Sequence, residues 1–185
     1  MKQLSLNGRW QFQQANQAET PWHEATVPGC VHSDLLANQL IPDPYYRDNE
    51  HAVLWVGETD WVYRRSFVVE PDLLAQTQVV LRCAGLDTLA TLWLNGSEVG
   101  RTNNQFRTWE FDVKSLLRPG DNNIEIRFDS ALLYGQARLA EKYIHSWSTD
   151  THKLPGGNYV RKSQCNFGWD WGPKLVTCGI WRDIE

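Results

Sequence analysis

Between Trp61 and Phe128 the chain is cut into short runs of β-branched and aromatic residues, each soon closed by Gly, Pro or Asn. That punctuation leaves no room for long helices and demands antiparallel strands joined by tight turns. Trp61-Val62-Tyr63-Arg64-Arg65-Ser66-Phe67-Val68-Val69 is one run, stopped by Pro71, and Gln78-Val79-Val80-Leu81-Arg82-Cys83 follows, bounded by Ala84-Gly85. Leu89-Ala90-Thr91-Leu92-Trp93-Leu94 runs straight into Asn95-Gly96, and Glu98-Val99-Gly100 leaves it. Asn-Gly between apolar runs predicts a two-residue hairpin, because both residues tolerate the positive φ of a type I′ turn. Trp109-Glu110-Phe111-Asp112-Val113 and Asn123-Ile124-Glu125-Ile126-Arg127-Phe128 alternate at the strand period, as does the opening Leu6-Asn7-Gly8-Arg9-Trp10-Gln11-Phe12.

Two stretches break this rhythm. A short helical patch is predicted around Asp34-Leu35-Leu36-Ala37, in an excursion that Pro42-Asp43-Pro44 keeps out of a sheet. Between Ser130 and Ile144, Leu133, Ala137, Ala140, Tyr143 and Ile144 recur by threes and fours, which predicts one helix whose start Gly135 weakens. Ser146 to Tyr159 reads as a long loop around Pro155-Gly156-Gly157, Leu175-Val176-Thr177 as a further strand, and the segment from Gly179 to Glu185 as another. Residues 1–185 are therefore expected to form a single all-β domain, a jelly-roll β-sandwich with one or two short helices.

A formal net charge of −4 opposes a phosphate-tracking surface, and nucleic acid is not expected as a partner. Arg64-Arg65 and Arg161-Lys162 are isolated basic pairs, expected at the surface or a strand edge. No stretch has the length of a membrane span and Met1 to Gly8 has no apolar signal run, so a cytoplasmic location and no membrane partner are expected. Cys30, Cys83, Cys165 and Cys178 lack CxxC spacing and are expected to be buried free thiols. The histidines, His32 included, show no metal-ligand spacing and are expected at polar surface or loop positions, with no metal and no cofactor. Asp43, Asp48, Glu50, Glu58 and Asp60 form a loose acidic group, expected to be a solvated loop rather than a catalytic pair.

Ten tryptophans are the compositional outlier. Gly168-Trp169-Asp170-Trp171-Gly172-Pro173 sets two aromatic faces around one carboxylate. Such parts suit a sugar, whose C–H face stacks on an indole while a charged acceptor takes its hydroxyls. They equally suit two core tryptophans with Asp170 capping a turn. Arg161, just upstream, could hold Asp170 through a bidentate pair, or could be an ordinary surface residue.

At these residues the whole chain resembles the N-terminal sugar-binding domain of glycoside hydrolase family 2, in its β-mannosidase branch. The resemblance is carried by Leu6-Asn7-Gly8-Arg9-Trp10, Val27-Pro28-Gly29 with His32, Asp34 and Leu35, and Ile41-Pro42-Asp43-Pro44-Tyr45 with Asn49-Glu50. Asp60-Trp61-Val62-Tyr63, Gly85-Leu86-Asp87-Thr88, Leu94-Asn95-Gly96, Arg161-Lys162, the Gly168–Pro173 run and Gly179-Ile180-Trp181-Arg182 complete it. Asn95-Gly96, Tyr63-x-x-x-Phe67 and Gly120-x-Asn122 resemble family 2 in general, whereas the Gly168–Pro173 run together with Asp43-Pro44-Tyr45 and Gly85-Leu86-Asp87-Thr88 resembles mannosidases in particular.

The resemblance implies a galactose-binding-domain-like jelly roll whose Trp169, Asp170 and Trp171 line the subsite for a terminal mannose of a β-mannoside or mannooligosaccharide. It also implies that the catalytic glutamates belong to a (β/α)₈ barrel elsewhere in the same polypeptide. A barrel takes at least roughly 200 residues, so it does not fit beside a sandwich within 185, and this chain alone is expected to hydrolyse nothing. A stand-alone carbohydrate-binding module and the same domain from another family 2 glycosidase remain the alternatives.

Overall fold

The computed structural model describes residues 2–16, 20–145 and 153–185. The chain begins with β1 (Gly8–Gln14) and β2 (His23–Val27), then α1 (Val31–Ala37) and a 3₁₀ segment at Asn49–Val56. After β3 (Trp61–Val69) come the single turn α2 (Pro71–Leu74), β4 (Val80–Cys83), β5 (Leu86–Asp87), β6 (Leu89–Leu94) and β7 (Ser97–Asn103). The succession ends with β8 (Trp109–Asp112), β9 (Gly120–Asp129), α3 (Ala131–Glu141) and β10 (Gly179–Ile180). One antiparallel sheet has the order β2-β1-β3-β9-β6-β7, and the smaller ladders β4-β8 and β5-β10 make the opposing layer.

Strand alternation places the core between these layers. Ile124, Ile126 and Phe128 of β9 and Ala90, Leu92 and Leu94 of β6 are buried at every second position. They share one apolar cluster with Leu81, Cys83, Leu86 and Ile180 from the other layer. Asn95 (φ 52°) and Gly96 (φ 84°) make the expected positive-φ hairpin turn between β6 and β7. The Asn95 amide also donates to the Leu116 carbonyl (2.9 Å) and to Asn122 Oδ1 (2.7 Å), tying the turn to β9.

Several expectations need correction. The strand expected at Leu175–Thr177 does not form, because Val176 is drawn into a second apolar cluster with Ala131, Leu132, Val160 and Phe167. His23–Val27 and Asn49–Val56 form elements that the patterning did not show. Part of the loop expected from Ser146 to Tyr159 lies outside the described residues, and its visible end closes in a 3₁₀ turn at Gly157–Tyr159. Only Cys83 among the four free thiols is fully buried, and Cys165 is exposed. Nor is the acidic group wholly solvated: Asp60 accepts the Ser130 N–H and an Arg127 guanidinium N–H, both at 2.7 Å.

α3 starts where expected but ends at Glu141, short of Tyr143 and Ile144, and turns a different face inward. Leu133, Ala137, Ala140, Tyr143 and Ile144 are exposed, while Ala131, Leu132 and Gly135 are buried. Gly135 meets Gly156 so closely that an added Cβ would lie 2.3 Å from the Gly156 carbonyl oxygen. Gly135→Ala is therefore expected to destabilise the domain by about 1–3 kcal/mol through overpacking, against the roughly 1 kcal/mol that helix propensity alone would add. Urea unfolding checks the sign. Among the described residues, no helix is long and apolar enough to cross a membrane.

Candidate functional site

The Trp-Asp-Trp segment sits on a loop that leaves the sandwich after Arg161 and returns at β10. Gly168 adopts φ 111°, a backbone region that a Cβ disfavours, and the chain then folds into a four-residue turn. Trp169 and Gly172 close that turn by exchanging backbone hydrogen bonds of 3.3 and 3.2 Å. The two indoles meet edge to face with centroids 5.7 Å apart, and the Lys153 ammonium lies 3.8 Å from the Trp169 ring centroid.

Exposure separates the three residues. Trp169 is half-buried, Asp170 is exposed, and Trp171 is 83 % exposed. A core-filling role is thereby removed for Trp171, since an indole left this open gains little from burial. Among the described residues, the Asp170 carboxylate has no hydrogen-bond or ion-pair partner. The turn thus presents an open aromatic face beside an acceptor whose lone pairs face solvent. Arg161 is exposed and forms a parallel bridge with Asn104, and no ion pair joins it to Asp170 among the described residues. The orienting role expected for Arg161 finds no support in this arrangement.

At the stems of the loop lies a polar group that sequence reasoning missed. Lys162, expected at the surface or a strand edge, is 3 % exposed and donates to Asp87, itself 2 % exposed, while Thr88 donates its hydroxyl to the same carboxylate. His32, also expected in a polar surface or loop position, is buried, its Nδ1 unbonded among the described residues, and burial together with the Lys162 charge pushes its pKa down to about 4. Asp34 accepts the Thr26 N–H (2.9 Å) and the Tyr63 hydroxyl (2.8 Å). Burial outweighs both hydrogen bonds and raises its carboxyl to about 6. Burial, with the nearby Asp34 charge, raises the Tyr63 phenol as well. Among the described residues, no group of three or more His, Cys, Asp or Glu is arranged to hold a metal.

Motif position gave the only sequence signal for this group. His32, Asp34, Asp87 and Lys162 all stand within the segments that carry the family resemblance, but nothing in the spacing reveals that an ion pair joins two of them across the fold.

An antiparallel sandwich of one six-stranded sheet against two short ladders is the architecture of a galactose-binding-like domain. The chain belongs to the glycosyl hydrolase 2 galactose-binding domain-like family, whose sequence profile matches residues 10–182. It is 38 % identical over 189 residues to a β-mannosidase of Bos taurus, and 42 % identical over 186 residues to β-mannosidase B of Aspergillus terreus. Those alignments take in 98 % and 99 % of this chain but 21 % and 22 % of the relatives, so the chain spans about a fifth of their length. The crystal structure of a β-D-mannosidase from Dictyoglomus thermophilum superposes with a TM-score of 0.92 at 40 % identity, covering all of this chain and 22 % of that one. An exo-chitosanase from Amycolatopsis orientalis shares the fold alone, with a TM-score of 0.68 at 19 % identity over 98 % of the chain.

Proposed function

We propose that this chain is the non-catalytic N-terminal domain of a retaining exo-β-mannosidase, and that Trp169, Asp170 and Trp171 form one wall of the subsite for the terminal mannose. The observation that carries this reading is the solvent-facing carboxylate of Asp170 beside the open Trp171 ring. Asp170 accepts hydrogen bonds from sugar hydroxyls, and the indoles cover the apolar face of the ring. The β-mannosidase names of the relatives, matched along nearly the whole chain, supply the substrate class. A pair of barrel glutamates, one acting as acid/base and one as nucleophile, carries the hydrolysis itself.

Turnover of a panel of aryl β-glycosides by the product of the whole gene tests this reading. A preference for the mannoside is expected, and its absence would sink the assignment. Asp170→Ala is expected to lower kcat/KM on the mannoside by roughly 10–150-fold, the equivalent of one charge-assisted hydrogen bond of about 1.5–3 kcal/mol. Unchanged turnover would instead mark the loop as structural. The 185-residue chain alone is expected to hydrolyse nothing and to bind mannose in the millimolar range or more weakly, about −4 kcal/mol or less favourable. A stop codon after Glu185 with micromolar mannose binding in calorimetry would favour a stand-alone binding module.

A further inference from the structure

The loop that carries Trp169, Asp170 and Trp171 leaves the sandwich at Lys162 and rejoins it at Gly179, and the same two residues hold both stems. Asp87 accepts the Lys162 ammonium through its side chain, while its backbone is the ladder partner of Gly179. Gln105, also buried, donates its N–H to the Arg161 carbonyl (2.9 Å) and accepts the Ser163 N–H on Oε1 (2.7 Å). Its carbonyl takes the Trp181 indole N–H (3.1 Å) on the returning stem. Two points on the sandwich therefore close the base of an otherwise irregular loop.

A buried ion pair adds little net stability compared with apolar residues of the same volume, yet it strongly disfavours any arrangement that separates its charges. Such a pair is suited to holding one geometry rather than to strengthening the fold. We propose that the Asp87–Lys162 pair and Gln105 form a positioning clamp that sets the aim of the Trp169–Asp170–Trp171 turn. As positioning residues of the sugar subsite they rest on the function proposed above; as a clamp on the loop they do not.

The clamp is tested on the 185-residue chain with 5-fluorotryptophan, following the fluorine resonances of Trp169 and Trp171 against Trp61 in the core. Lys162→Met alone strands the Asp87 charge and can unfold the chain. The informative variant is Asp87→Asn combined with Lys162→Met, which removes both charges and keeps the volume. Its expected result is a native melting temperature, an unmoved Trp61 resonance, and Trp169 and Trp171 resonances shifted toward the value of free 5-fluorotryptophan. Unmoved loop resonances overturn the proposal, and so does a common shift of all three, which marks a purely structural pair.

Turnover of the whole-gene product separates this proposal from the one beneath it. The double variant is expected to lower kcat/KM on a β-mannoside by about tenfold, but to cost clearly less than that on an Asp170→Ala background, because part of its effect passes through that residue's position. If the loop resonances shift while Asp170→Ala leaves turnover unchanged, the subsite assignment fails and the clamp stands. If Asp170→Ala abolishes turnover while the resonances stay, the clamp alone is lost.

Discussion

Phe12→Ala is expected to lower the unfolding free energy by about 3–5 kcal/mol, the range of a buried aromatic replaced by a methyl group. Phe12 has no exposed surface and sits opposite Tyr63 on one neighbouring strand and His23 on the other. Its ring centroid lies 5.7 Å from that of Tyr63, 5.8 Å from Trp61 and 6.0 Å from His23. Tyr63 in turn meets Phe128 edge to face at 5.7 Å. Removing Phe12 opens a cavity in an aromatic seam running from β2 across β1 and β3 to β9, and fixed strand registers keep the neighbours from collapsing into it. Phe106→Ala, at a side chain 58 % exposed, is expected to stay within about 0.5 kcal/mol. Equal losses in urea melts of the two variants would contradict this placement of the core.

The second large effect concerns pH. The Asp34 carboxyl rises from 3.8 to about 6 on folding, so the fold binds its proton more tightly than the unfolded chain does. Its contribution to stability is complete below about pH 4 and is lost as pH rises through 6. His32 moves the other way, from 6.5 to about 4, so its contribution is complete above about pH 6.5 and is lost as pH falls through 4. Each shift corresponds to about 3 kcal/mol, and the two oppose each other between pH 7 and 4. The groups bearing on them are Lys162 beside His32, and the Thr26 N–H and the Tyr63 hydroxyl on Asp34.

Unfolding measured at pH 7 and pH 4 should expose the balance. Relative to the parent, Asp34→Asn is expected to lose about 3 kcal/mol on acidification, because His32 then acts unopposed. His32→Leu is expected to gain about 3 kcal/mol over the same interval. Two variants that both track the parent to within about 0.5 kcal/mol would show that neither group titrates across the folding transition.

Elements built by neighbours along the chain are legible in the residues themselves. Trp61–Val69 and Leu89–Leu94 are strands over the limits their composition suggests, and the Asn95-Gly96 turn has the positive φ angles those residues tolerate. β2 is hidden because five residues bounded by a proline carry too little periodicity to stand out. α3 is visible as a helix, yet its apolar pattern points to the wrong buried face. The stripe expected through Leu133, Ala137 and Ala140 to Tyr143 and Ile144 is cut short where the helix ends at Glu141, and the contact of Gly135 with Gly156 decides which side of it packs.

The candidate site divides along the same line. Trp169, Asp170 and Trp171 stand out because their chemistry is local, being three adjacent residues between glycines. That Trp171 is open to solvent while Lys162 is enclosed cannot be read from them, since both facts depend on which distant segments arrive alongside. The strand pattern, the hairpin and the aromatic turn are written in the amino-acid order, because each follows from φ preferences and side-chain alternation over a few residues. The meeting of Asp87 and Lys162, 75 residues apart, in one buried site at the stems of that loop is settled by long-range packing alone. A charge pair is excluded from water by the whole fold, and no local run of residues records it.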